Sequence, residues 1–218
     1  MLEIASSNGT THIVLTPHYL TNDHSFKKFN KQALESRFES FSLEAKQMYP
    51  ELNLYLGAEM VAVSNFRDVI AEEQLITINN SRYVLLEFGF DDRFERALRV
   101  TDKILSLDFV PIVAHPERYH FIQRNPELLM ELRSYGALLQ LNSTSLFGLS
   151  GDKAQRIAFE ALENRAAQFI ASDSHSVHMR NPNLAECYMT VASGFGQQMA
   201  EELFYINPLA VINDEYLG

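Results

Sequence analysis

Apolar residues along this chain recur in two alternating rhythms. Short dense runs at residues 12–16, 52–56, 83–88, 110–114, 137–141 and 168–171 are rich in Val, Ile, Leu and Tyr. They are too short for buried helices and predict strands. Between them lie longer stretches with helical patterning, at 26–49, 65–73, 93–107, 126–135 and 152–164, and two more, about 184–192 and 197–204, close the chain. Asn125-Pro126 offers an N-cap followed by proline at the first helical position, and Ser150-Gly151-Asp152 offers capping oxygens. Tyr135-Gly136 has the chemistry of a helix C-terminus. Strand–helix alternation of this regularity predicts parallel strands with helical crossovers. No linker, low-complexity tract or shift in composition divides residues 1–218, so a single α/β domain is expected. A doubly wound sheet and a barrel both satisfy the pattern so far.

The polar residues at the strand ends separate the two. Pro17-His18 follows the first run, Gly57-Ala58-Glu59 the second, and Glu87 is the penultimate residue of the third. His115-Pro116-Glu117-Arg118 follows the fourth, Asn142 the fifth, and Ser172-Asp173-Ser174-His175 the sixth. In a barrel all carboxyl ends of the strands meet on one face. A doubly wound sheet gathers only those at its switch point. A barrel is therefore expected, with these residues at one pole.

Their types define a chemistry. Imidazole and carboxylate without thiolate suit Mn, Zn or Fe(II). His18, Glu59, Glu87, His115, Asp173 and His175 exceed the roughly three protein ligands that one catalytic ion takes. Two or more ions sharing bridging carboxylates is the expected arrangement. Arg118 and Arg180 each follow a ligand motif by a few residues, and a guanidinium beside a metal cluster suits a phosphate. The alternative for both arginines is an ion pair with a nearby carboxylate such as Glu117. His12, alternating with Val14 inside the first run, reads as structural, and His24, His120 and His178 fall in polar loops. The loops 19–26 and 175–182 would form the rim of the pocket.

Composition narrows the partners. The formal charge is −10, with 28 acidic against 18 basic residues, which argues against nucleic acid as a partner. The single cysteine, Cys187, rules out an internal disulfide and fits a reducing compartment. It sits in a helical stretch and is followed at the sixth position by Ser193 rather than arginine, so there is no Cys-x5-Arg phosphate loop. The N-terminus lacks a basic stretch followed by an apolar run, and no run approaches the ~18–20 apolar residues that span a bilayer. A cytoplasmic protein without membrane insertion is expected.

The segments 11–18, Gly57-Ala58-Glu59, Leu86-Glu87-Phe88, 114–119 and 171–175, in this order and spacing, resemble the PHP (polymerase and histidinol phosphatase) superfamily. Within it they are most similar to bacterial manganese-dependent protein-tyrosine phosphatases of capsule and exopolysaccharide clusters, as are Ser81-Arg82-Tyr83 and Asn207-Pro208. The resemblance implies a distorted TIM-like barrel of seven β/α units and a trinuclear centre, usually manganese, with Zn or Fe(II) as alternatives. It implies that His18, Glu59, Glu87, His115, Asp173 and His175 are ligands and that Arg118 and Arg180 hold phosphate. Asp173 and His175, close in the sequence, are both candidates to protonate a departing oxygen. The implied substrate is phosphotyrosine on the tail of a polysaccharide-synthesis tyrosine kinase.

One departure stands out. The family opens with a strand ending in His-x-His, whereas residues 1–9 here align with the end of the family's first helix. Six of seven strands are therefore expected, a domain N-terminally truncated relative to the family, with two unpaired edges that invite association with another chain. Fewer bound metals and reduced turnover are expected as well. The competing readings are a small-molecule phosphatase of the histidinol-phosphate kind, a nuclease, which the acidic balance disfavours, and a phosphotyrosine-binding partner that no longer hydrolyses.

Overall fold

The computed structural model describes residues 1–19, 30–178 and 180–217. His24 and most of the 19–26 loop lie outside the described residues. All six apolar runs form strands in parallel ladders. The first two strands are each divided by a step: β1 (His12–Leu15) and β2 (His18–Tyr19), then β3 (Asn53–Leu56) and β4 (Glu59–Val61). Backbone bonds bridge both steps, with Gly57 N–H donating to Leu15 O at 2.9 Å and Glu59 N–H to Pro17 O at 3.1 Å. A Cβ on Gly57 would meet Val14 and Thr16 methyls at 3.1 and 3.2 Å, so this crossing favours glycine. The remaining strands are β5 (Tyr83–Glu87), β6 (Val110–Ala114), β7 (Leu138–Asn142) and β8 (Phe169–Ala171). β1 pairs with β3, and the other six are ordered β2-β4-β5-β6-β7-β8. His18 and Glu59, expected just beyond their strands, lie inside β2 and β4 and pair with each other in register.

Helices alternate with these strands: α1 (Leu2–Ser7), α2 (Lys31–Met48), α3 (Phe66–Ala71), α4 (Phe94–Leu105), α5 (His120–Arg124), α6 (Glu127–Ser134), α7 (Ser143–Leu146), α8 (Asp152–Glu163), α9 (Ala185–Phe195), α10 (Gln197–Glu201) and α11 (Asn207–Ile212). α2 starts where Asn30 Oδ1 accepts from Ala33 N–H at 2.8 Å. α6 ends at Tyr135, followed by Gly136 with φ +111°. The capping expected from Ser150-Gly151-Asp152 does not form, because Gly151 itself is the N-cap of α8 and no side chain caps that helix. The closing helix expected over 197–204 stops at Glu201 and passes through a π-helical turn, Glu202–Ile206, into α11. The short helices α1, α5 and α7 were not marked by any apolar period. Among the described residues no helix is long and apolar enough to cross a membrane.

Side chains alternate across the sheet, as strand geometry requires. Val84 and Leu86 of β5, Val113 of β6 and Leu139 and Leu141 of β7 join the larger core against the helices. Tyr83 and Leu85 of β5, Ile112 and Ala114 of β6, Leu138 of β7 and Phe169 of β8 form a second cluster on the concave face, with Val211 of α11 against it. Among the described residues no ladder joins β8 to β1 or β2. A cleft of about 1060 Å³ follows that gap, lined by every residue of β1 and β8, and His18, Asp173 and His175 also border it.

Candidate metal centre

The concave face of the sheet decides where the polar residues go. On β5 the alternation that places Tyr83 and Leu85 inside also places Glu87 inside, at the carboxyl end of the strand. On β2 and β4 it places His18 and Glu59 opposite Tyr19 and Met60, which belong to the outer core. β6 breaks the rule. Ala114 already faces inward, so strict alternation would send His115 outward. His115 instead adopts a left-handed backbone, φ +36° and ψ +51°, and its ring turns back to the same pole. This conformation is costly outside glycine and is held because a ladder bond, His115 N–H to Gln140 O at 2.7 Å, continues past the strand end. Asp173, with φ +45°, turns the chain in the same way after β8.

Four of the expected ligands touch. His115 Nε2 lies 3.1 Å from Glu59 Oε1 and 3.4 Å from Glu87 Oε1. His18 Nδ1 lies 3.4 Å from Glu59 Oε2 and 3.2 Å from Glu87 Oε2. Each carboxylate thus bridges two imidazoles. Ligand atoms of His18, Glu59 and Glu87 all fall within 4.8 Å of one another, a spacing that suits one cation. His175 joins from the other side of the gap, its Nε2 3.4 Å from His18 Nε2.

The electrostatics match this packing. Burial works against charge on His115, but the bonds to Glu59 and Glu87 win, and its pKa is raised to about 9. Burial likewise disfavours the Glu87 anion, and His115 and His18 overcome it to hold the carboxyl at about 2. His18 is pushed up as well, first by its bond to Glu87 and against burial. The site therefore gathers carboxylates that require positive charge between them, and in the metal-free chain imidazolium supplies it.

Asp173 does not contact the carboxylates. Asn142 Nδ2 donates to its Oδ2 at 2.7 Å, and Arg118 Nη1 lies 3.6 Å from the same oxygen. Arg180 pairs with that oxygen too, while its Nε–H donates to Asp173 O at 3.0 Å. His175 Nδ1 contacts the Asp173 carbonyl at 3.0 Å. Both arginines thus make the ion pair with a nearby carboxylate that is the alternative for them, and that carboxylate is Asp173 rather than Glu117.

Glu117 takes another place altogether. Its side chain is fully buried, and Oε1 accepts from Ser145 Oγ–H at 2.6 Å and from Asn142 N–H at 3.0 Å. Burial pushes its pKa up, against those two donors. Nothing in the sequence pattern separated this buried carboxyl from its exposed relatives. Asn142, noted only as a polar strand end, is the link from Glu117 to Asp173. Tyr119 completes the scaffold, donating to Ala114 O at 2.8 Å and accepting Phe88 N–H at 3.0 Å, which bolts the ends of β5 and β6 together. His120 lies at the start of α5, exposed and 2.8 Å from Asp91, and His178 is exposed in a turn. His12 stacks on Tyr55 with ring centroids 5.9 Å apart. Cys187 is buried, and burial raises its thiol to about 12, so it stays inert.

The residues present fit a metal cluster. Among the described residues, buried His115 Nδ1 has no hydrogen-bond partner, and Nε2 of His175 lies 3.4 Å from Nε2 of His18 across the gap. Two carboxylates and three imidazoles without thiolate form a donor set of borderline hardness.

The chain is similar to known proteins along most of its length. The family described as "Capsular polysaccharide synthesis, CpsB/CapC" matches residues 1–213. Tyrosine-protein phosphatase CpsB of Streptococcus agalactiae is 30% identical over 188 residues, covering 83% of this chain and 77% of that protein. The putative tyrosine-protein phosphatase CapC of Staphylococcus aureus is 33% identical over 184 residues, covering 83% and 69%. A chain from the crystal structures of YwqE from Bacillus subtilis and CpsB from Streptococcus pneumoniae, described as unique metal-dependent tyrosine phosphatases, superimposes with a TM-score of 0.91. It is 26% identical, and the match covers 100% of this chain and 87% of that one. A chain of archaeal ribonuclease P with mature tRNA, 14% identical at a TM-score of 0.61, shares the fold alone.

Proposed function

The chain belongs to the CpsB/CapC family of capsular polysaccharide synthesis proteins, and from that premise we propose that it is a metal-dependent phosphatase of protein phosphotyrosine. The observation that carries this reading is the bridging of His18 and His115 by Glu59 and Glu87. These four, with Asp173 and His175, are the proposed ligands, and two to three Mn²⁺ ions are the proposed cofactor. When bound there, such ions supply Lewis acidity and lower the pKa of water.

The chain's own residues supply the rest. Arg118 and Arg180, both drawn to Asp173, offer guanidinium N–H groups to the phosphoryl oxygens and neutralise their charge as the ester bond breaks. The Asp173 carboxylate holds both guanidiniums before substrate arrives, so less ordering is left to the moment of binding. His175, 44% exposed, occupies the mouth. With Nδ1–H donating to the Asp173 carbonyl, its Nε2 is the atom left for a ligand or for a proton on the departing tyrosyl oxygen. The proposed physiological substrate is a phosphorylated tail of a bacterial tyrosine kinase acting in polysaccharide synthesis.

The test is phosphate release from a phosphotyrosyl peptide by the purified chain with and without Mn²⁺, beside histidinol phosphate. Turnover that requires the metal, favours the peptide and disappears in Arg118→Ala is expected. A metal-loaded chain that binds the peptide without releasing phosphate would overturn the enzyme reading in favour of a binding partner.

A further inference from the structure

Phe90 is a large apolar side chain left 39% exposed beside the charged pole. It follows Glu87 by three residues at the end of β5, and it is not loosely placed. Its carbonyl accepts His120 N–H at 3.0 Å, and the turn that carries it is closed by Gly89 N–H donating to Asp92 Oδ2 at 2.8 Å. The ring lies 6.1 Å from the His115 ring and 6.3 Å from that of Tyr119, and Arg118 Cζ sits 4.9 Å from its centroid. An aromatic ring fixed in this way keeps more than a third of its surface open beside the charged pole. It has the exposure and the rigidity of a binding surface.

The geometry points to Phe90 as the residue that selects aryl over alkyl phosphate esters, an inference that rests on the phosphatase reading of this site. The guanidinium of Arg118, proposed to hold phosphoryl oxygens, lies against the Phe90 ring. A phosphate seated on Arg118 with its ester group turned toward this side would bring that group against Phe90. If that group is an aromatic ring, it gains ring–ring contact on top of burial, whereas an alkyl group gains neither the same area nor the quadrupole geometry. Selection for tyrosyl esters would then come from Phe90, while Arg118 and the ligand set serve any phosphomonoester alike.

The test measures binding, so that it does not depend on turnover. Benzylphosphonate, in which CH₂ replaces the ester oxygen of an aryl phosphate, and ethylphosphonate are titrated into the Mn²⁺-loaded chain, its Phe90→Leu variant and its Phe90→Tyr variant. Phe90→Leu is expected to weaken benzylphosphonate by about three- to tenfold and to leave ethylphosphonate unchanged. Phe90→Tyr, which keeps the ring, is expected to retain the preference. Equal weakening of both ligands in Phe90→Leu would mean that the ring merely steadies Arg118, and it would overturn the inference. So would a wild-type chain without a benzyl preference, failure to bind either ligand included. A benzyl preference that depends on Phe90 in a chain without turnover leaves the inference standing and removes the phosphatase reading instead.

Discussion

His115 is 2% exposed and wedged between two carboxylates, whereas His175, 44% exposed, reaches His18 across the gap between β2 and β8. The two imidazoles belong to one pole but are held by different means. His115 stands at the centre of the sheet, where β5, β6 and β7 are laddered on both sides and Tyr119 ties two strand ends together. His175 hangs from a turn beyond an edge strand and is fixed by hydrogen bonds to Asp173 and to Arg180 O. One half of the cluster is therefore built by folding. On the proposed function, the other half would be completed by the cation or phosphate that binds between its charges.

The largest expected effect breaks the built half. Replacing His115 by alanine leaves Glu59 and Glu87 facing each other without their shared imidazole, and Mn²⁺ affinity should fall by more than about a hundredfold. His175→Ala should cost nearer about tenfold, because an edge ligand is more readily replaced by water. Metal titration by calorimetry on both variants measures the contrast. Equal losses would show that the edge half is as preorganised as the centre.

Acidity sharpens the same contrast in the metal-free protein. His115 has its pKa raised from 6.5 to about 9, so its ion pairs contribute fully below 6.5 and are lost as pH rises through 9. Glu87 has its pKa lowered from 4.5 to about 2, so its share is present above 4.5 and is lost as pH falls through 2. Both are intact between 4.5 and 6.5, where the metal-free chain should melt highest. A metal ion must displace the His115 proton, so Mn²⁺ affinity should climb with pH up to about 9. Melting curves across this range check the first statement and metal titrations the second. A flat profile in both would mean that the central imidazole is not in the pairs described.

Glu117 tests the support beneath the built half. Removing its carboxyl in Glu117→Ala strands Ser145 Oγ and the Asn142 N–H in a buried site, at a cost of about 1–3 kcal/mol of folding stability. Because Asn142 also donates to Asp173, metal affinity should drop by about tenfold. Glu117→Gln keeps an acceptor oxygen and should recover most of both. Denaturant titration and calorimetry separate the two readouts, and a stability loss with unchanged metal affinity would confine Glu117 to the core.

How much of this a sequence reader can extract follows from the same division. The six strands and the polar residue at each strand end are legible, because a period of two and short apolar runs are local properties. The distinction between a central and an edge position is also readable, since strand order here follows chain order. The left-handed turns at His115 and Asp173 are not legible, because neither residue is glycine and the conformations are held by tertiary bonds. Glu117 looks like a surface glutamate until the fold closes over it. The short helices α5 and α7 hold five and four residues, too few for a 3.6-residue period to show.

The smallest expected effect concerns His12, which separates position on an edge strand from membership of the site. His12 opens β1, the edge strand whose path continues through β2 to His18, and both line the same cleft. Yet its ring stacks on Tyr55 at 5.9 Å and meets Tyr205 edge-on at 6.5 Å, at the opposite end of that path from the carboxylates. His12→Phe keeps both ring contacts and gives up only the 2.9 Å contact with Thr11 Oγ1. Metal stoichiometry and phosphotyrosine turnover should therefore match wild type, with stability within about 0.5 kcal/mol. A loss of bound metal in this variant would extend the cluster along the edge strand and erase the boundary between the built and the completed halves of the site.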